Sequence, residues 1–592
     1  MKQIKRITIM VLVLSLCASS FAFAASYKTL KYDDVMAIAA KNHESLTMPN
    51  ELYDADMSQY YQTDSGLLTQ EEINALRTEK SKIKKLTKEQ AIEDADLFFR
   101  AWKYAYPSYY FIGEDSFLSA REEVMETLNK LSGSVSGQKF GDILYDSMNF
   151  LQDAHSEIDE RSPIYIEDSL KHEYYFDRSI IFSQDSNGYY INYDDGKWYY
   201  SKASNKNLRI EPSVLKSGKV VYSPILHIAK EKAPKSSTIT LKKGSKTKKI
   251  KVKWTMAADV TRQGAIQKQC ETYSQDGIYY INYITMRSEV GDVNDFINTA
   301  HEAKKHNAVI FDLRKTQGHE HWQLEDWIEA FTGETPAANK ILFSRSNALR
   351  SLRNYPTFEI APIGSERTKI QLTKGKPVSN DVTLIILTDS SCGSSVESAL
   401  NLLSTVENSI VIGANSTGCQ QGGSGQTYYL PNSGVSFTFG GFMKFTRKLK
   451  NIDGIGFEPD LWCDPKIALS ATVDMLKRYD YIDSDGAEKM KQKIDPVAVD
   501  MRVLWGNSKI KPTQCFGDIT SRGDYISITA NGKKIKDFTV KSGAKDYLLA
   551  NKLDDGRIRL KTLKSYKGEI YPFTVTYKGV DYTFYTNDPS MQ

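Results

Sequence analysis

Apolar and polar positions follow different periods in different parts of the chain. Between residue 26 and about residue 160 the apolar positions recur every three or four residues, which predicts amphipathic helices. The stripe Ala91, Ala95, Phe98 and Trp102 is one example, and a Thr-Lys-Glu-Gln capping box at 87–90 precedes it. From about residue 162 to residue 260 the runs are short and alternating, and residues 188–200 and 237–254 are predicted to form hairpins.

A third pattern begins near residue 270 and continues to about residue 480. Short apolar runs, which predict buried strands, alternate there with helical stripes, and this order is typical of an α/β core. A polar stretch over 483–495 is interpreted as a link. The turn signals Asn531-Gly532 and Lys578-Gly579 then predict hairpins of a C-terminal β-sandwich about a hundred residues long.

Composition limits the number of domains and the classes of partner that we expect. A chain of 592 residues exceeds the size of one core, so we expect three or four domains. Its net charge of +4 gives no reason to expect nucleic acid as a partner. Residues 1–24 have the basic start, apolar centre and Ala-x-Ala end of a signal peptide, with cleavage predicted before Ala25. We therefore expect a protein that is secreted, extracellular or held in the cell envelope, with no later segment apolar enough to cross a membrane.

The candidate catalytic residues with the clearest local pattern lie within residues 382–425. An apolar run ends at Thr388, four serines and a glycine follow, and a helical stripe begins at Val396. A serine on a tight turn between a strand and a helix lies where the helix N-terminus favours developing negative charge. A serine here could equally be a helix N-cap. No zinc-type cysteine pair, phosphate-binding loop or dinucleotide fingerprint is found.

Five motifs, in this order along the chain, resemble the S41 family of serine peptidases, the C-terminal-processing and tricorn-like group. Each motif is weak alone, and the resemblance that they carry together covers about residues 152–478. They are Leu151-Gln-Asp-Ala-His-Ser156, Val309-Ile-Phe-Asp-Leu-Arg-Lys-Thr-Gln-Gly318, Ser391-Cys-Gly-Ser-Ser-Val-Glu397, Val411-Ile-Gly413 with Thr417-Gly418, and Ile452-Asp-Gly-Ile-Gly-Phe-Glu-Pro-Asp460.

The resemblance implies a nucleophile and a base. Ser394 matches the family's nucleophile, and Glu397 matches the acidic residue on the first turn of the following helix. One branch of the family uses a lysine as base, but that position holds Cys419 here. The other branch uses a histidine from a D-x-H motif, which assigns the general base to His155.

The resemblance also implies the remaining parts of the site. Asp453 matches the carboxylate that orients the base, although the family usually has the longer Glu; Glu458 is the reserve candidate, and a plain turn is the alternative for Asp453. The oxyanion donors would be the backbone N–H groups of Ser395 and Gly318. His319 stands where the family usually has a second glycine.

The resemblance implies a multidomain α/β protein with a ClpP/crotonase-like S41 core. We expect a helical N-terminal region carrying the histidine motif over 25–161 and a β-rich region over 162–265, where family members often carry a PDZ-like domain. The core would span 266–482 and the β-sandwich 495–592. No PDZ loop is recognisable in the sequence itself.

The sequence thus predicts a secreted serine endopeptidase that acts on peptides or proteins. The alternatives are a catalytically inactive member that binds peptides in the same cleft, and a cell-surface adhesion protein. No cofactor and no metal is expected, because the pair His319 and His321 lacks a third ligand at a sensible spacing. The oligomeric state is not predicted.

Overall fold

The structure is a computed structural model, and it describes most of the first 494 residues and parts of the remainder. The described residues are 27–47, 68–164, 171–257, 260, 268–344, 369–446, 449–494, 501–505, 515–516, 524–530, 533–543, 548–562, 571–577 and 580–586. The predicted signal peptide and the two predicted turns at 531–532 and 578–579 lie outside them.

Helices dominate the described N-terminal part, as the apolar period predicts. The predicted capping box is confirmed, because Thr87 and Gln90 each accept the other's backbone N–H through their side chains. These helices are α1 (Tyr32–Thr47), α2 (Gln70–Arg77), α3 (Lys88–Ala105), α4 (Tyr109–Ile112), α5 (Glu114–Asn129) and α6 (Gly137–Ser147).

The β-rich region that follows contains strands and one short 3₁₀-helix, Lys230–Lys232, within described residues 171–257. Both predicted hairpins are present, and the first turns at residues 194–195, since Tyr193 pairs with Gly196. The strands from residue 157 onward are β1 (Glu157–Ile158), β2 (His172–Phe176), β3 (Ser183–Asp185), β4 (Gly188–Tyr193), β5 (Gly196–Ala203), β6 (Leu208–Val214), β7 (Val220–Ala229), β8 (Ser236–Lys243), β9 (Lys246–Lys253) and β10 (Thr255–Met256).

Strands and helices alternate after residue 270, which confirms the predicted α/β pattern. The elements are β11 (Cys270–Gln275), β12 (Ile278–Tyr283), α7 (Val293–Ala303), β13 (Ala308–Asp312), α8 (Trp322–Thr332), β14 (Lys340–Ser344), β15 (Lys369–Thr373), β16 (Thr383–Thr388), α9 (Ser395–Leu403), β17 (Ser409–Gly413), β18 (Gln426–Tyr429), β19 (Ser436–Phe439), β20 (Phe442–Phe445), β21 (Leu461–Trp462), α10 (Pro465–Arg478) and α11 (Ser484–Ile494).

One long sheet organises this core. Its described strands run in the order β10-β2-β7-β6-β21-β17-β16-β13-β12-β11. The stretch from β12 to β6 is parallel throughout, with antiparallel strands at both ends. Every residue of β13, β16 and β17 is buried, as their continuous apolar runs predict for parallel strands covered on both faces. The sheet therefore joins the core to β2, β6, β7 and β10 of the β-rich region.

The N-terminal helices lie against the core at two places. The aromatic side chains of α3 pack on the β18–β19 hairpin, where Trp102 lies 5.1 Å from the Phe439 ring centre. On the other side, Val35 and Ala39 of α1 enter the apolar cluster that covers one face of the parallel strands. Helix α1 is thus part of the core that carries β16 and β17.

The described residues from 501 onward form two sheets. Their strands are β22 (Met501–Trp505), β23 (Cys515–Phe516), β24 (Asp524–Ala530), β25 (Lys533–Lys534), β26 (Thr539–Ser542), β27 (Leu548–Lys552), β28 (Arg557–Thr562), β29 (Tyr571–Tyr577) and β30 (Val580–Thr586). Ile526 and Leu560 of one sheet share a buried cluster with Phe573 and Phe584 of the other. Two sheets that face each other across one apolar core form the predicted β-sandwich.

The predicted polar link at 483–495 is wrong, because this stretch is helix α11. Ala487 and Met490 are fully buried against the neighbouring core, and Ile494 packs beside them. Their spacing of three and four residues is a helical stripe, but the lysines and acidic residues around it give the segment a polar average.

Among the described residues, none of the helices combines the length and the apolar character that crossing a membrane requires.

We predict that Leu46→Ala lowers the free energy of unfolding of the α/β core by about 2–5 kcal/mol, because Leu46 of α1 is fully buried. Denaturant unfolding followed by tryptophan fluorescence measures this change. The matched control is Lys41→Ala on the exposed side of the same helix. Equal stability of the two variants would mean that α1 is not part of the cooperative core.

Candidate active site

A strained backbone holds Ser394 at the junction of β16 and α9. Its φ of +55° and ψ of −117° lie in a region that residues with a side chain rarely adopt. A strained serine between a strand and a helix is the arrangement of a nucleophile elbow, which exposes the hydroxyl at the end of a sheet. The first turn of α9 follows directly, so the helix N-terminus lies beside the hydroxyl.

The four serines of this turn have different partners. Ser394 Oγ lies 3.1 Å from His155 Nε2, although the two residues are 239 positions apart in the chain. Ser391 Oγ instead donates to Asp389, and Ser395 Oγ donates to the carbonyl oxygen of His319. Ser390 Oγ accepts from Lys171. Of these contacts, that of Ser394 is with an imidazole, the side chain that acts most often as a general base near neutral pH.

Asp153 positions His155 by accepting a hydrogen bond from its backbone N–H. One carboxylate oxygen of Asp153 accepts the His155 N–H at 2.8 Å, and the other accepts the hydroxyls of Tyr106 and Ser156 at 2.6 and 2.8 Å. Burial lowers the pKa of the His155 imidazole, the charge of Asp153 partly offsets this, and the Lys444 ammonium lowers it further. The imidazole therefore favours its neutral form, which is the form able to accept a proton.

Asp453 lies close to His155 without a hydrogen bond to its ring. One carboxylate oxygen each of Asp153 and Asp453 and one ring nitrogen of His155 all lie within 4.8 Å of one another. The Asp453 carboxylate accepts the backbone N–H groups of Ala154, Gln420 and Gln421, each at 3.0 Å. It thus joins the segment that carries His155 to the loop after β17. Burial, together with the charge of Asp153, raises the pKa of Asp453 to about 8.

The reserve candidate Glu458 lies elsewhere. Its carboxylate binds both terminal guanidinium nitrogens of Arg209 and accepts from His227 at 2.9 Å. Burial alone would raise the pKa of Glu458, but these two partners hold it down at about 2. These contacts do not include the His155 ring, so Glu458 is not its orienting acid in this structure.

Glu397 is a buried anchor of the site. Its carboxylate accepts the backbone N–H of Ser394 at 3.2 Å and that of Cys419 at 2.8 Å. It also accepts the Ser416 hydroxyl at 2.5 Å and the Gly418 N–H at 2.9 Å. Burial raises the pKa of Glu397, while these four bonds oppose that rise. The side chain therefore ties the turn at Ser394 to the loop at 416–419.

The two predicted oxyanion donors lie on segments that are close together. A Cβ placed on Gly318 would lie 3.3 Å from the Gly393 carbonyl oxygen and 3.7 Å from the Ser395 nitrogen. The loop after β13 thus runs close beside the Ser394 turn. In the part of the chain that the structure describes, neither the Gly318 N–H nor the Ser395 N–H donates a hydrogen bond.

Arg314 supports this loop. Its guanidinium is buried, binds both carboxylate oxygens of Asp312 and donates to the Pro465 carbonyl oxygen.

Sequence reasoning missed three nearby residues. Asp153 belongs to the D-x-H motif, so its position was visible although its contacts were not. Cys419 Sγ lies 3.5 Å from both ring nitrogens of His155, at the position of the family's lysine. Lys444 reaches the site from β20, and nothing in its local sequence indicates this.

The described residues offer one cluster with metal-ligand spacing, Asp153, His155 and Asp453. Each of its carboxylate oxygens already accepts a hydrogen bond from a protein group, and His155 Nε2 contacts Ser394. These contacts favour proton transfer over metal binding. His321 Nε2 lies 3.5 Å from the Glu325 carboxylate, and among the described residues no group of three potential ligands forms around His321.

Comparison with known proteins gives one family match and several remote structural likenesses. Residues 277–462 match the sequence model of peptidase family S41. No curated protein matches the sequence significantly. Among solved structures, mature CPAF complexed with lactacystin is similar at 11% identity over 68% of this chain and 98% of that chain, with a TM-score of 0.36. The photosystem II D1 C-terminal processing protease is similar at 12% identity over 65% and 96%, with a TM-score of 0.32. Likenesses this remote assign no residue roles.

We predict that Glu397→Gln lowers the free energy of unfolding by roughly 1–3 kcal/mol, because an amide nitrogen replaces an oxygen that accepts buried hydrogen bonds. Denaturant unfolding measures the change. Glu407→Gln, an exposed position just after α9, is the matched control and is expected to change stability by less than about 0.5 kcal/mol. Equal effects of the two substitutions would contradict an anchoring role for Glu397.

Proposed function

The chain belongs to peptidase family S41 through residues 277–462, and we propose that it is a secreted serine endopeptidase with Ser394 as nucleophile and His155 as general base. The observation that carries the proposal is the 3.1 Å contact between Ser394 Oγ and His155 Nε2 at a strained turn. Export is supported by the signal-peptide pattern of residues 1–24.

The first half of the reaction follows from this geometry. His155 Nε2 takes the proton as Ser394 Oγ attacks the carbonyl carbon of the scissile peptide bond. The carbonyl oxygen becomes negative and accepts from the N–H groups of Ser395 and Gly318, helped by the N-terminus of α9. Collapse of this intermediate breaks the C–N bond, and His155 gives its proton to the leaving amine. An ester between the substrate and Ser394 remains.

Water completes the cycle. His155, neutral again, takes a proton from a water molecule that attacks the ester carbonyl, and the same two N–H groups hold the new oxyanion. The proton returns to Ser394 Oγ as the carboxylic acid product leaves. Asp453 positions His155 in this proposal through the N–H of Ala154. Asp153 has the electrostatic role in this proposal, because its charge favours the imidazolium form of His155.

We predict that Ser394→Ala and His155→Ala each lower hydrolysis of an unfolded protein substrate by at least about 10³-fold, because a serine hydroxyl without its base is a poor nucleophile. Release of fluorescent fragments from labelled casein measures the rate. Ser391→Ala, on the same turn but bonded to Asp389, is the matched control and retains activity. Wild-type protein that binds unfolded chains without cleaving them would instead support the inactive, peptide-binding alternative.

We predict that reaction of Ser394 with a fluorophosphonate persists below pH 6.5, the ordinary pKa of histidine. Burial and Lys444 lower the pKa of His155, so its neutral form survives as the pH falls and is lost only when the pH passes this lowered value. Lys444→Met removes a positive charge and so raises the pKa of His155. The acidic limb of the pH profile of the labelling rate then moves to higher pH. Lys376→Met, at a lysine that pairs with Glu334, leaves the limb in place. A limb unaffected by Lys444→Met would contradict this assignment.

A further inference from the structure

A small sheet beside the site presents two different faces. Strands β15, β14 and β20 pair in that order, and Leu342 of β14 lies opposite Lys444 of β20. Ile341 and Phe343 are buried on one face with Met443 and Phe445 of the partner strand. Because side chains alternate along a strand, the other face carries Lys340, Leu342, Phe442 and Lys444, all half-buried.

This second face, which we call the lysine face, reaches the surroundings of Ser394. Lys444 Nζ donates to Ser398 Oγ at 2.8 Å, and Ser398 lies one turn after Ser394 on α9. The backbone N–H of Lys444 donates to the Gln421 carbonyl oxygen at 2.7 Å, two residues beyond Cys419. The Lys444 charge also acts on the His155 imidazole. The lysine face therefore forms a wall next to the attacking hydroxyl.

Two positive charges on this wall have no direct acidic partner. Lys340 and Lys444 lie diagonally across neighbouring strands, a separation of roughly 7–8 Å between such positions. In the described part of the chain, neither ammonium lies within 4.0 Å of a carboxylate. Burial, and then the charge of Lys340, lowers the pKa of Lys444 to about 8.

The nearest acids are occupied by other groups. Glu325 acts electrostatically on Lys340 but lies 3.5 Å from His321. Glu397 and Asp453 act on Lys444 and are surrounded by the hydrogen-bond donors described above. A half-buried pair of like charges, beside the proposed site of peptide cleavage, would be stabilised by an anion supplied from outside.

We propose that Lys340 and Lys444 form a specificity subsite that binds the carboxylate of an Asp or Glu side chain of the substrate, close to the scissile bond. This inference rests on the proposed peptidase function and adds the class of substrate. An ammonium group that meets a carboxylate in a partly desolvated wall forms a charge-assisted hydrogen bond, which a glutamine in the substrate cannot match. Leu342 and Phe442 on the same face supply apolar contact for the methylene groups of the acidic side chain.

The test uses matched fluorogenic peptides that carry Glu or Gln at one position at a time, three residues to either side of the cleaved bond. For the wild-type chain we expect kcat/KM for the Glu peptide to exceed that for its Gln partner at least tenfold at one of these positions. Lys444→Glu and Lys340→Glu are each expected to abolish this preference and to favour Lys at the same position. Lys376→Glu, a lysine paired with Glu334, is the charge-matched control and keeps the preference.

Fluorophosphonate labelling separates failure of this inference from failure of the proposed function. Equal cleavage of Glu and Gln peptides by protein that labels at Ser394 overturns the subsite and leaves the peptidase intact. Protein that is folded but neither labels nor cleaves overturns the peptidase itself. Should Lys444→Glu fail to fold, Lys340→Glu decides the question: an unchanged Glu preference in that variant overturns the subsite.

Discussion

Two buried carboxylates hold the site together, and both do so through the backbone. Glu397 joins the N–H of Ser394 to the loop at 416–419, and Asp453 joins the next residues of that loop to Ala154, beside His155. The path from nucleophile to base thus runs through a short series of buried hydrogen bonds. A buried carboxylate costs much free energy unless it is fully hydrogen-bonded, so each of these groups is stable only when the loops around it are in place.

This arrangement explains how distant parts of the chain meet in one site. Ser394 comes from the centre of the parallel sheet, and His155 comes from the end of the helical region, packed against the β18–β19 hairpin. The strained φ of Ser394 is maintained by the surrounding bonds rather than by its own preference. The site is therefore assembled from segments that are far apart in the chain.

Much of the architecture could be predicted from local patterns. Continuous apolar runs indicate the buried parallel strands, and helical spacing with a capping box indicates α3, because these signals depend on neighbours in sequence. Helix α11 was missed because its apolar stripe is short and surrounded by charges. The pairing of Ser394 with His155 was expected only from the family resemblance, since no local pattern reports a contact over 239 residues.

The finer chemistry depends on long-range geometry that sequence patterns do not contain. Asp453 was expected to bind the imidazole, and its carboxylate instead reaches backbone N–H groups, consistent with a side chain one methylene shorter than Glu. Lys444 enters through strand pairing, and its position beside Lys340 is visible only from the face that the two residues share. Whether the contact between base and hydroxyl produces a nucleophile is tested most directly by tandem mass spectrometry of the fluorophosphonate adduct. The account predicts one adduct, on Ser394, whose formation is lost in His155→Ala; an adduct on another serine, or equal labelling without His155, would contradict it.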